Sequence, residues 1–130
     1  NNVIFNLNMI PEQERIAHYA ACDLAVFPSF YEPFGIVALE AMAMEKPIVV
    51  GARGVSGLRE IVVASGPEMT GYHINPYDPQ DIAWGVKSML ADEDHMKAMG
   101  KKGRKRVLAE FTWEKIAREA FKVYENVVTG

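Results

Sequence analysis

The feature that most constrains this chain is a break in its apolar pattern at residue 28. Leu24-Ala25-Val26-Phe27 is a short apolar run that stops at Pro28, and the chain resumes as Phe34-Gly35-Ile36-Val37-Ala38-Leu39-Glu40-Ala41-Met42-Ala43. The first run has the length and composition of a strand. The second reads as a helix in which Glu40 is the only charged residue from Phe34 to Met44. A helix apolar on every side belongs inside a protein, and a buried carboxylate is costly unless something hydrogen-bonds to it. Glu40 therefore has an internal partner or faces a polar ligand.

Glu32 lies just before this helix and Glu40 falls in its second turn, so both carboxylates can point toward one cleft. Between them the peptide N–H groups of Phe34, Gly35 and Ile36 lack intrahelical partners, and a helix N-terminus of that kind binds an anion without a basic side chain. Gly35 lets a ligand approach the backbone closely, and Pro33 pre-sets the start of the helix. The group that matches is a diphosphate flanked by two hydroxyl-rich rings. The amides take the diphosphate, and the carboxylates accept hydrogen bonds from hydroxyls on either side.

The rest of the chain supplies the frame. Residues 3–7, 24–27, 47–50 and 72–74 each read as a short strand. Between them lie a helix opened by Pro11, with Ile16, Tyr19, Ala20 and Cys22 inward, the helix of Glu40, and a short helix from Leu58 to Val63. Strands alternating with helices imply βαβ units, hence a parallel α/β sheet with helices on both faces. Ligands bind such sheets outside the carboxyl ends of the strands, so the loops after Phe27 and Val50 should line one cleft. The second of these, Gly51-Ala52-Arg53-Gly54-Val55-Ser56-Gly57, is neither a dinucleotide fingerprint nor a P-loop. It reads equally as a plain connection and as a cleft wall, with Arg53 and Arg59 the basic residues close enough to touch a phosphate. His18 reads as solvent-facing and His73 as structural.

Downstream, Asp78-Pro79-Gln80-Asp81 is a capped helix start, followed by Ile82, Val86, Met89 and Leu90 at helical spacing. A helix from Glu93 to Glu110 turns Met96, Met99 and Val107 inward, with Gly103 expected to interrupt it. Thr112 caps a last helix whose stripe is Trp113, Ile116, Ala117, Ala120, Val123, Tyr124 and Val127.

Charge and composition exclude several functions. The net charge of −3 combines a balance of −8 over residues 1–96 with one of +5 over residues 97–130. The basic run from Lys101 to Arg106 has no interleaved aromatic and sits on an otherwise acidic chain, so a solvated helix face is favoured over a nucleic-acid surface. Three scattered histidines and one cysteine make no metal-ligand spacing. No apolar run approaches the roughly 20 residues of a membrane span. The single Cys22 and the lack of a signal-peptide pattern point to the cytoplasm. The chain opens on Asn1-Asn2 without an initiator methionine, so part of a longer chain is expected. One edge of the sheet should then be open, paired with another copy or covered by the tail.

The setting Pro28-Ser29-Phe30-Tyr31-Glu32-Pro33-Phe34-Gly35, with Glu40-Ala41-Met42-Ala43 after it, resembles the retaining, nucleotide-sugar-dependent glycosyltransferases of the group 1 type, whose relatives include glycogen and starch synthases. The resemblance continues in Gly57-Leu58-Arg59-Glu60-Ile61-Val62, in Thr70-Gly71-Tyr72 and in Phe111-Thr112-Trp113, in the family's order. It implies a GT-B architecture of two Rossmann-like halves across a cleft, of which this chain is most of the carboxyl-terminal, donor-binding half. Residues 1–110 would be an incomplete donor-nucleotide-binding domain, and the helix over 111–130 would cross toward the amino-terminal half.

Carried over by position, Glu40 would bind the ribose hydroxyls. Glu32, the candidate catalytic residue, would contact the donor sugar without acting as a nucleophile. Pro33, Phe34, Gly35 and Ile36 would hold the distal phosphate or the sugar through backbone amides. The implied reaction moves a hexose, glucose in the first instance, from a UDP- or ADP-sugar to a glycan or other acceptor held by the missing half. It needs no cofactor or metal, and these residues alone should not turn over. In the family an Arg and a Lys that hold the diphosphate lie upstream of the matched region. Two other readings stand beside this one. A glycosidase carboxylate pair is disfavoured because glycoside hydrolysis needs no phosphate cradle. A non-catalytic nucleotide-sugar-binding or regulatory module would share the same site without the reaction.

Overall fold

The computed structural model describes residues 2–129. In chain order the elements are α1 (Glu12–Ala21), β1 (Ala25–Phe27), α2 (Ile36–Ala43), β2 (Ile48–Gly51), α3 (Leu58–Ile61), β3 (Gly71–Ile74), α4 (Pro79–Leu90), α5 (Glu93–Glu110) and α6 (Trp113–Thr129). The strands form one parallel sheet in the order β1-β2-β3. Ala25 pairs with Ile48 and Phe27 with Val50, while Ile48 pairs with Gly71 and Gly51 with Ile74.

Alternation along the strands divides the core in two. Ala25, Ile48 and Val50 face α2 and α3, where Ala38, Ala41, Met42, Leu58, Ile61 and Val62 are buried, with Val107 of α5 beside them. Val49 and Ile74 face the other way, onto Met89 of α4 and Met99 of α5. This is the Rossmann-like parallel sheet flanked by helices that the βαβ pattern implies. The capped starts also form: Asp78 accepts from the Gln80 amide at 2.9 Å, and Thr112 Oγ1 from the Lys115 amide at 3.3 Å.

Two expectations are corrected. Residues 3–7 form no strand, and Ile4, Phe5 and Leu7 are exposed. β-propensity is realised only where a neighbouring strand offers a ladder, and none lies beside this segment among the described residues. Nor does Gly103 interrupt α5, which runs through it unbroken. Gly100 instead lets α5 approach the end of α2, since a Cβ there would run into the Glu45 carbonyl oxygen. The expected open edge is present: the outer edge of β1 is unpaired among the described residues, and no described side chain of α6 is buried.

The basic run of α5 has a role that composition did not disclose. Arg104 donates to the Ala43 carbonyl at the end of α2, and Arg106 to the carbonyls of Glu60 and Ile61, both at 2.8 Å, at the end of α3. Lys102 reaches the Pro67 carbonyl at 2.7 Å. Helix C-termini leave such carbonyls without partners and carry partial negative charge, so these cations fasten α2 and α3 to α5.

His73, in β3, donates from Nε2 to the Val62 carbonyl at 2.9 Å, which confirms a structural role. Burial holds its pKa below the ordinary 6.5; the Val62 hydrogen bond opposes the shift and Arg59 adds to it. The folded chain thus favours neutral His73, and the unfolded chain takes up the proton first as pH falls. This contribution to stability is complete above pH 6.5 and is lost as pH drops through the folded-state value. The drop in melting temperature between about pH 7.5 and about pH 5.5 should be smaller in His73→Gln. An equal drop in both proteins would assign the pH dependence to other groups.

Candidate functional site

β1 ends at Phe27, and the loop that follows runs over the carboxyl end of the sheet before α2 begins. The loop after β2 closes on it. Glu32 and Ser56 form a parallel bridge, and the Gly57 amide donates to the Glu32 carbonyl at 2.8 Å. The Ser56 hydroxyl donates back to the Gly51 carbonyl at 3.2 Å, which fixes the curl of that loop. The two loops therefore share one wall, as the strand ends imply. Gly57 is what permits this contact, because a Cβ there would lie 2.6 Å from the Phe34 carbonyl oxygen and 2.7 Å from its Cα.

Gly35 is the N-cap of α2, with φ +109° and no side-chain cap. A Cβ at Gly35 would be strained and would meet Leu58 Cδ2 at 2.5 Å. Among the described residues no hydrogen bond is donated by the amides of Phe34, Gly35 and Ile36. The helix N-terminus thus keeps its first donors unengaged, in a loop held from behind by Ser56 and Gly57.

Two concavities meet at Phe34. One, of about 340 Å³, is an apolar groove lined by Phe34, Ile36, Leu39, Ala43, Phe111, Trp113 and Ile116, with Glu40 the only charged residue among the described ones that line it. The other, of about 380 Å³, lies between Pro33, Phe34 and the Gly54–Gly57 loop, with Arg59 and Glu60 on its rim. Glu32 lines neither of them. The face of α2 around Glu40 is not packed away, since Ile36 is 60% exposed, and the helix is buried on one side only.

Glu40 has the internal partner its position demanded. Arg15 of α1 donates from Nη2 to Oε1 at 3.0 Å. Tyr19, one turn further along α1, lies beside the pair, and burial, followed by the charge of Glu40, raises its phenol above the usual value of 10. Arg15 was not legible as a site residue because it lies 25 positions from Glu40 on a helix of ordinary amphipathic pattern. Of the two basic residues considered for phosphate, Arg59 donates to the Gly54 carbonyl at 3.3 Å and braces the loop, while Arg53 is exposed. Among the described residues no group of three or more His, Cys, Asp or Glu side chains could hold a metal ion.

A family model for glycosyl transferases group 1 matches residues 1–106. The chain belongs to this family. Proteins similar to it include an uncharacterized glycosyltransferase of Methanocaldococcus jannaschii, 42% identical over 107 residues, which are 82% of this chain and 26% of that protein. The alpha-maltose-1-phosphate synthase of Mycolicibacterium smegmatis is 38% identical over 126 residues, 92% of this chain and 31% of that one. Among solved structures, the sucrose-phosphate synthase of Thermosynechococcus elongatus superposes with a TM-score of 0.82 at 37% identity, over 95% of this chain and 30% of that one. The catalytic domain of starch synthase IV from Arabidopsis thaliana, solved with ADP and acarbose, shares the fold with a TM-score of 0.70 at 21% identity. The chain thus spans about a quarter to a third of these relatives. Its fold is consistent with the carboxyl-terminal domain of GT-B glycosyltransferases.

Proposed function

We propose that this chain is the donor-binding part of a retaining glycosyltransferase that moves a hexose from a nucleoside diphosphate sugar to a glycan or similar acceptor. The observation that carries the proposal is the N-terminus of α2. Three amides there donate no hydrogen bond among the described residues, and Glu32 and Glu40 flank them in the sequence. Amides aimed at a diphosphate stabilise the charge that develops on it as the sugar departs, and they need no reorganisation to do so. Glu40 receives the ribose hydroxyls and Glu32 the hydroxyls of the sugar. The amino-terminal half of the longer protein supplies the acceptor site, and the exposed stripe of α6 (Phe121, Tyr124, Val127) packs against it. Upstream strands cover the open edge of β1 and give residues 3–7 the ladder they lack here. The similarity to an alpha-maltose-1-phosphate synthase and a sucrose-phosphate synthase supports glucose as the hexose. The single Cys22, half-buried and not disulfide-bonded, supports a cytoplasmic location.

The test is a thermal-shift panel of nucleoside diphosphates on the full-length protein. A ligand at a hundred times its Kd stabilises the folded state by about 2.7 kcal/mol, so one diphosphate should raise the melting temperature well beyond its monophosphate. A panel in which no diphosphate shifts the transition would contradict the proposal.

A further inference from the structure

The contact between Arg15 and Glu40 has an unusual form. A guanidinium facing a carboxylate commonly forms two parallel hydrogen bonds, which would engage Nε with one oxygen and Nη2 with the other. Here one bond forms, from Arg15 Nη2 to Glu40 Oε1 at 3.0 Å. Arg15 Nε and Glu40 Oε2 are both buried, and neither has a hydrogen-bond partner among the described residues. The second bond of the fork is thus left unmade, and the orientation of the carboxylate rests on the single bond to Oε1. That orientation matters because Glu40 is the only charged residue among the described residues that line the groove. Tyr19 closes the pair from the α1 side, and its neighbour Glu40 helps keep the phenol protonated.

We infer that Arg15 is a positioning residue for nucleotide-sugar recognition: by holding Oε1 of Glu40 it fixes the orientation of the carboxylate that meets a hydroxyl pair of the bound nucleotide. The inference rests on the donor-site reading of Glu40 and adds a residue from a different helix, 25 positions away. Arg15 touches no substrate in this scheme. Its effect passes through the orientation of one carboxylate, and the two substitutions should therefore not be independent.

The experiment is a double-mutant cycle in the full-length protein, with nucleoside diphosphate affinity measured by calorimetry for the wild type, Arg15→Met, Glu40→Gln and the double variant. Arg15→Met should weaken binding about tenfold, the scale of one charge-assisted hydrogen bond. The double variant should bind no more weakly than Glu40→Gln alone, and Arg15→Lys should recover part of the loss. With nucleotide sugar, Arg15→Met should raise KM and leave kcat near the wild-type value. Additive losses would mean that Arg15 contacts the nucleotide itself, and an unchanged affinity with a lowered melting temperature would mean that it is structural; either result overturns the inference. A wild type that binds no nucleoside diphosphate overturns the donor-site reading and this inference with it. Normal wild-type binding with an unaffected Arg15→Met overturns the inference alone.

Discussion

Glu40→Gln in the full-length protein is expected to weaken nucleoside diphosphate binding by about 10- to 150-fold, the equivalent of roughly 1.5–3 kcal/mol for a charged hydrogen bond. The fold should survive. Glu40 and Arg15 keep 31% and 40% of their side-chain surface exposed, and ion pairs with that much access to water contribute about 1 kcal/mol or less. Glutamine retains the volume and one acceptor, so the apolar contacts of Leu39 and Ala43 around it are undisturbed. A structural carboxylate would behave in the opposite way, lowering the melting temperature while the folded protein bound nucleotide normally. The contrast is sharp because α2 buries its other face, through Ala38, Ala41 and Met42, and does not depend on Glu40 for packing.

Glu32→Gln should separate turnover from nucleotide affinity. The free nucleoside diphosphate is expected to bind within about twofold of the wild type, whereas transfer from the sugar donor falls by about 10-fold or more, as for an interaction made to the reacting sugar. The backbone at Glu32 is tied by the Gly57 amide, and that bond is unaffected by the side-chain change. The wall between the two loops therefore remains in place, and any loss belongs to the carboxylate. Steady-state kinetics with the nucleotide sugar, alongside a binding isotherm for the diphosphate, measure the two effects. A parallel loss in both would move Glu32 from the sugar to the nucleotide.

Much of this architecture was legible because local signals agree. Pro28, the apolar run before it and the lone Glu40 after it place β1 and α2, and both form. Asp78 and Thr112 cap helices where their spacing says they should. Where the reading failed, the deciding partner was distant. Residues 3–7 carry a strand's composition without a strand to join. Gly103 looks like a helix breaker in isolation, yet it lies against Met42 inside an unbroken helix, and Gly100 permits the close approach of α5 to Glu45. Arg104 and Arg106 look like surface charge until the carbonyls of Ala43, Glu60 and Ile61 are set beside them. The candidate site divides in the same way. Its amides follow from the local sequence around Gly35, but Arg15 on Glu40 and Ser56 bridging Glu32 are tertiary contacts that no spacing encodes.

The central claim is that the two glutamates serve different parts of one donor, on either side of the N-terminus of α2. Paired calorimetric titrations test it most directly, with Glu32→Gln and Glu40→Gln each titrated with the nucleoside diphosphate and with the nucleotide sugar. The account predicts that Glu40→Gln loses affinity for both ligands by a similar factor, while Glu32→Gln loses affinity for the nucleotide sugar alone. Equal losses for both ligands in both variants would contradict it.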